Sequence, residues 1–230
     1  MRWLARLEVE AEVAYNEEIY DSYAWHKRSW ECYPDAPEAK RDFLTRIDLL
    51  EGVCRLWILA ETKPTRPHWC PADSFALKEI DASYLTRKHY AFDLRANPVR
   101  ALIQVGPDGG PILLPNGKRK RGKRVPLVKP EELRAWLIRK GEVRCRDRAT
   151  GADVPGGFKI VETNKVSLEI TPMTKHHFRK KEQSAYHGGV QFRGILEVTD
   201  QKRFIDSYRS GIGSAKSFGF GLLLLAPIKM

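Results

Sequence analysis

Long apolar runs are missing from these 230 residues. The longest, Phe218 to Ile228, is interrupted by Gly219, Gly221 and Pro227. It is well below the roughly 20 residues that a membrane-spanning helix needs, and it reads as a buried strand. An export signal is also missing, because Arg6, Glu8, Glu10 and Glu12 break up the apolar residues near the N-terminus; a cytoplasmic location is expected. Cysteine is scarce. Cys32, Cys54, Cys70 and Cys145 form no C-x-x-C pair and stand far from any His-x-x-x-His spacing, which argues against zinc and for reduced, buried thiols. What the chain does not lack is core-forming material. Its 42% apolar and 10% aromatic residues bury enough surface to offset the entropy of ordering it, which excludes simple disorder.

Charge is present in excess of one sign and in one part. Lys and Arg number 40 against 29 Asp and Glu, a net charge of +11. Residues 1–90 carry −3 and residues 91–230 carry +14. A field of this kind attracts polyanions. Nucleic acid is the leading partner class, with an anionic membrane surface second; neither basic run lies on an amphipathic helix that would favour the membrane.

Periodicity gives the organisation. Trp3 to Val13 alternates apolar and charged residues, as a strand with one wet face does. A helix is expected from Glu17 to Tyr33, ending at Pro34. Strand-like runs at Phe43–Asp48 and Cys54–Glu61 flank Glu51-Gly52, a hairpin signal. A short helix at Pro71–Leu77 and a strand at Lys78–Leu85 complete a β-α-β-β-α-β order. Beyond a strand at Tyr90–Arg100, a Gly/Pro-rich segment leads into the exposed basic loop Lys118–Arg124. A helix at Pro130–Lys140 begins with Pro, has Glu131-Glu132 in its first turn, and stops at Gly141. Strands are expected at 142–148, 158–170 and 190–199. A helix capped by Asp200 and stopped by Gly211 precedes a last strand at Gly219–Ala226. The order repeats, so the expected fold is α+β: two tandem ferredoxin-like (βαββαβ, RRM-like) domains, residues 1–88 and 89–230.

Four constellations carry candidate chemistry. Gly211-Ile-Gly-Ser-Ala-Lys-Ser-Phe-Gly-Phe-Gly221 fits no nucleotide-loop pattern, since Ala215 precedes Lys216 and the segment runs from helix into strand. Its glycine N–H groups with Ser214, Lys216 and Ser217 suit close approach to a phosphodiester; the plain alternative is a connector. Lys118–Arg124 and Lys175–Lys181 lie between expected strands and suit phosphate contacts, or are solvated charge runs. Tyr23 and His26 project from one side of the first helix, with Trp30 one turn on. An imidazole there can move protons on or off a ribose, or is a helix histidine packed beside aromatics. His176-His177 has no carboxylate or cysteine at ligand spacing.

Taken together, Tyr23-Ala-Trp-His26 with Trp30 and Tyr33-Pro34, Arg95-Ala-Asn-Pro98, the basic run ahead of Val125-Pro-Leu127, Ala135-Trp-Leu137, and the glycine-rich ending with Leu225-Ala-Pro-Ile resemble the CasE family. These are CRISPR-repeat endoribonucleases of the type I-E (Cascade) system, in the repeat-associated mysterious protein (RAMP) superfamily. The resemblance spans nearly the whole chain. Ser29 stands where the family often has Leu, and Tyr33 where it has Phe. The resemblance implies a cut in precursor CRISPR RNA at the 3′ base of the repeat hairpin, by 2′-OH attack, with no metal and no cofactor. It implies His26 as the principal proton-transfer residue, as base or acid, and Tyr23 as its assistant. RNA contacts are expected at Lys27, Arg28 and Arg95; at Lys118, Arg119, Lys120, Arg121, Lys123 and Arg124; at Lys175, Arg179, Lys180 and Lys181 of a stem-gripping hairpin; and at Gly211, Gly213, Ser214, Lys216 and Ser217. Implied partners are the repeat hairpin, the mature crRNA that stays bound, and the other Cascade subunits, with no membrane and a free monomer. The rival reading is a non-catalytic RNA-binding scaffold subunit.

Overall fold

A computed structural model describes residues 2–34, 42–115, 117, 120–143, 145–146, 153–173, 176–180 and 183–229, with the backbone alone for 121, 145, 146, 153, 176–180 and 183–187. The chain is mixed α+β, mostly antiparallel sheet with few helices. Strand β1 is Arg2–Glu10. The expected strand to Val13 ends early because the Ala11 N–H turns to the Gly52 carbonyl (2.9 Å) and a short helix α1, Ala11–Asn16, buries Ala14. The single helix expected over 17–33 is corrected as well. Glu18 is left-handed (φ 57°), and the Asp21 carboxylate accepts from the N–H groups of Tyr23 (2.9 Å) and Ala24 (2.8 Å), starting α2, Ser22–Ser29, afresh. A 3-10 turn, Trp30–Cys32, follows.

Strands β2, Leu44–Leu50, and β3, Val53–Ala60, form the expected hairpin about Gly52 (φ 70°). The helix expected at 71–77 is only a 3-10 turn, Ala72–Ser74, before β4, Phe75–Ile80; pairing of Phe75 with Leu7 and Leu77 with Ala5 overrides the local helical signal. Residues 81–85 turn instead of extending, with the Asp81 carboxylate accepting from Ser83 Oγ and the Tyr84 N–H.

Pro98, which lacks an N–H, divides the strand expected over 90–100 into β5, His89–Ala96, and β6, Val99–Ile103. The basic segment expected as a loop is a strand from residue 121 onward: β7, Arg121–Pro126, pairs with β6. Helix α3, Pro130–Glu142, runs through Gly141, whose Cβ, if it had one, would lie 2.1 Å from the Phe158 carbonyl oxygen. That glycine allows close approach and does not stop the helix. The strand expected at 142–148 reduces to β8, Cys145–Arg146, paired with β9, Asp153–Val154. The one expected at 158–170 is two, β10, Phe158–Val161, and β11, Glu169–Pro172. A hairpin of β12, His176–Lys180, and β13, Gln183–His187, comes next, then β14, Val190–Val198. Helix α4, Gln201–Ser210, has Asp200 accepting from the Arg203 N–H (3.0 Å) and Gly211 (φ 74°) just beyond it, as expected. Strand β15, Leu223–Pro227, ends the fold.

The first sheet has the order β2-β3-β1-β4 and the second β10-β14-β5-β15, with β11 also on β14. One core cluster gathers Leu7, Leu56, Ile58, Trp25 and Phe43 on a single face of the first sheet. The other joins Tyr90, Leu94, Phe192, Phe204 and Trp136 to Leu44, Leu59, Ile80 and Leu85 from the first sheet's opposite side. Alternation along β3 therefore sends Leu56 and Ile58 one way and Leu59 the other. The face expected to be wet is partly covered by the second sheet. Each such side chain contributes about 1.5–3 kcal/mol by leaving water.

Candidate functional site

Helix α2 is held by its own sequence. Trp25 and Ser29 are buried, and Ser29 Oγ donates to the Trp25 carbonyl (2.7 Å). Tyr23 and His26 are half-buried on another face, and Lys27 is exposed. Beneath them lies an aromatic bed: the His26 and Phe43 ring centroids are 6.4 Å apart, Trp30 meets Phe43 edge-on at 4.9 Å, and Tyr33 stacks on Phe43 at 5.1 Å. Burial pushes the Tyr33 phenol far up, so it stays protonated. Arg28 is engaged within the protein, 3.0 Å from Glu17 Oε2 and 2.9 Å from Glu31 Oε1, and it also donates to the Glu17 carbonyl.

The glycine-rich segment is a tight, non-repetitive loop. Gly211, Gly213, Gly219 and Gly221 all have positive φ, and so does Ala215 (φ 59°), which lacks glycine's freedom there. The Gly221 N–H donates to the Arg95 carbonyl (2.7 Å), the Ile212 N–H to the Gly221 carbonyl (2.9 Å), and Ser214 Oγ to the Asn97 carbonyl (3.2 Å). Lys216 Nζ donates to the Ser210 carbonyl at the end of α4, where a cation meets the negative pole of a helix. Ser217 lies in the 3-10 turn Lys216–Phe218, half-buried. This turn packs on both β2 and α2, and β12 packs on α2 as well. Three pieces far apart in the chain thus meet: the helix with Tyr23 and His26, the turn with Lys216 and Ser217, and the strand that includes Arg179 and Lys180.

The other expected contacts lie elsewhere. Lys120, Lys123 and Arg124 are exposed at or beside β7, where Arg121 also sits; among the described residues no extensive contact joins β7 to α2. Lys118, Arg119, Lys175 and Lys181 lie outside the described residues.

Arg95 is not an open surface residue. It is the half-buried end of an ion-pair network between the two sheets, in which Arg46 and Asp48 are buried. Its Nη1 is 2.8 Å from Asp48 Oδ1 and also donates to the Ile47 carbonyl. Asp48 receives Arg46 Nε (2.8 Å) and Trp57 Nε1 (3.1 Å), and Arg46 Nη1 reaches Asp93 Oδ1 (2.8 Å). Gln191 and Arg193 complete the shell of Asp93. Burial pushes the Asp93 carboxyl up, but the Arg46 hydrogen bond and charge, helped by Gln191 and Arg193, outweigh it and hold it below the usual carboxylate range. Arg46, Asp48 and Asp93 escape a reading of the sequence. Each stands in a strand whose charged positions look solvated, and no local signal says that the two sets will face each other.

Cys32, Cys54 and Cys70 are free thiols; burial pushes Cys32 up to about 12. Among the described residues no three His, Cys, Asp or Glu side chains come close enough to share a metal ion. In chemical terms the junction offers a half-buried imidazole and phenol for proton transfer, set against a glycine-lined turn and basic strand suited to phosphates.

Residues 2–227 match the family model described as CRISPR associated protein. The chain is 28% identical over 208 residues to the CRISPR system Cascade subunit CasE of Escherichia coli, covering 90% of this chain and 93% of that protein. It is 28% identical over 239 residues to the CRISPR-associated endoribonuclease Cse3 of Thermus thermophilus, covering 98% and 100%. The solved structure of Thermus thermophilus Cse3 bound to an RNA representing a pre-cleavage complex superposes with a TM-score of 0.68 at 25% identity, over 98% of this chain and 99% of that one.

Proposed function

The chain belongs to the family of CRISPR-associated proteins, and we propose that it is a repeat-specific endoribonuclease that cuts precursor CRISPR RNA at the 3′ base of the repeat hairpin, keeps the product and enters Cascade with it in the cytoplasm. The observation that carries this reading is the meeting of α2 with the Lys216–Phe218 turn and β12. Composition alone accounts for binding RNA; proton-transfer side chains on a helix that packs against a glycine-rich turn account for cutting it.

The ribose 2′-OH next to the scissile phosphate attacks phosphorus in line. The P–O5′ bond breaks, leaving a 2′,3′-cyclic phosphate and a 5′-OH. A base must take the 2′ proton and an acid must supply one to the departing oxygen. His26 carries out one of these transfers, and Tyr23, one turn before it, hydrogen-bonds the reacting group. Lys216, Ser217 and the N–H groups of Gly213 and Ser214 hold phosphates; the Gly211 N–H, expected to join them, instead donates to the Ser207 carbonyl (2.9 Å) at the end of α4. Lys175–Lys181 and Lys118–Arg124 grip the stem through its backbone and shape, since an A-form major groove is too narrow to be read base by base. Nucleophile and leaving group both belong to the RNA, so the step needs no metal.

We read the two sheets as tandem ferredoxin-like units, residues 1–88 and 89–230. The support is their shared order: in each sheet the first strand of the half (β1, β5) lies between the last (β4, β15) and a strand (β3, β14) that also pairs with the edge strand β2 or β10. The first half replaces its second helix by the 72–74 turn.

Incubating the protein with its repeat RNA in excess EDTA tests the reading. Cleavage that stops when the ribose at the cut is 2′-deoxy, with binding retained, is the expected result. Binding without cleavage by the wild type would establish the scaffold subunit in its place.

A further inference from the structure

Beside the junction lies a cleft of about 300 Å³ that the reaction does not use. Its rim carries Tyr15, Tyr20 and Leu49, exposed by 66%, 64% and 61%. Its walls include Trp25 of α2 and, from the glycine-rich segment, Phe218 and Phe220. Tyr15 and Tyr20 meet edge to face at 5.2 Å. Two residues that also line the cleft keep a polar atom without a hydrogen-bond partner among the described residues: Ser22 Oγ and Arg95 Nε. Buried polar atoms are rarely left so.

We propose that this cleft takes up one unpaired base of the RNA strand next to the cleaved phosphate. Four observations favour a base over other occupants. The volume is at the small end of ligand pockets, suited to one planar heteroaromatic group. The exposed tyrosines of the rim offer stacking surfaces, which every base can use. An arginine lines the space, and its planar guanidinium both stacks and donates. Both walls are shared with the candidate site, since Ser22 and Trp25 flank Tyr23 and His26 on one helix while Phe218 and Phe220 continue from Lys216 and Ser217. A base held here anchors the strand beside the reacting phosphate, while the stem lies on the basic hairpin.

The inference rests on the ribonuclease reading, and the experiment separates the two. Repeat RNAs that are 2′-deoxy at the cut carry 2-aminopurine at each unpaired flanking position in turn. One position is expected to lose fluorescence on binding. Tyr15→Ala and Tyr20→Ala should restore that fluorescence and weaken binding of the flanked RNA about tenfold, Tyr20→Phe should not, and a hairpin trimmed of its flanks should bind all variants alike. Both tyrosines are exposed, so truncation leaves the core intact. No quenched position, quenching that survives both alanine variants, or equal weakening of the trimmed hairpin overturns the proposal. Alanine variants with unchanged affinity for every RNA overturn it too, and point to a protein partner on this face. Cleavage of the all-ribose repeat is scored alongside: cleavage without quenching removes the base site alone, quenching without cleavage removes the ribonuclease reading alone, and failure to bind RNA removes both.

Discussion

Arg95 and Asp48 join the two halves of the molecule: Arg95 Nη1 on β5 lies 2.8 Å from Asp48 Oδ1 on β2. The Arg95 carbonyl meanwhile accepts from the Gly221 N–H (2.7 Å). One residue therefore ties the first sheet to the loop whose Lys216–Phe218 turn packs on α2. Asp48→Ala leaves the buried Arg46 and the half-buried Arg95 without this partner, a change expected to cost about 3–5 kcal/mol and to lower the melting temperature by roughly 10 °C. Thermal unfolding followed by circular dichroism measures it; a shift of a degree or two would show that the network is not what joins the halves.

Asp93 supplies a pH dependence. Its carboxyl is held below the usual range, so the folded state binds its proton less readily than the unfolded chain. Its contribution to stability is complete above about pH 4 and is lost as pH falls through the lowered value. The stability difference between the wild type and Asp93→Asn is expected to be flat above that pH and to shrink below it. A difference that grows on acidification would contradict this assignment.

His26→Ala is expected to slow cleavage by about 10²- to 10⁴-fold, the usual range for a lost proton-transfer group, while the dissociation constant for the repeat hairpin stays within about twofold. Tyr23→Phe should have the smaller effect. Single-turnover rates at saturating protein make the measurement, and an unimpaired His26→Ala enzyme would dismiss the assignment.

Gly141→Ala reverses the usual rule. Within a helix, alanine is favoured over glycine by about 1 kcal/mol, yet here the added Cβ would meet the Phe158 carbonyl oxygen at 2.1 Å. Overpacking of this kind costs about 1–3 kcal/mol. Urea denaturation should show a loss of stability, and a gain would mean that α3 and β10 are free to move apart.

Local features were legible because their causes are local. Asp200 caps α4 and Gly211 follows it since capping involves neighbours in the chain. The hairpin about Gly52 and the strand at 190–198 follow from turn chemistry and alternation. Asp21-Ser22 was a readable start signal for α2, but it stood inside a stretch free of Gly and Pro that looked continuous. Arg95 was readable as part of a motif and not as the ion-pair partner of a buried aspartate. The basic run at 118–124 was readable as charge, but the pairing of its residues from 121 onward with β6 depends on a strand that precedes a long insertion.

What the sequence by itself determined is the α+β alternation, the helix caps, the partition of charge into a −3 and a +14 part, and a family resemblance carried by short motifs. Only the tertiary structure decided that Tyr23 and His26 share a junction with Lys216 and Ser217, that a tyrosine-rimmed cleft opens beside them, and that Arg46 reaches Asp93 across 47 positions. Periodicity and capping act over a few residues, so a linear pattern records them. Convergence depends on which sheet faces bury each other, and that follows from the packing of the whole chain.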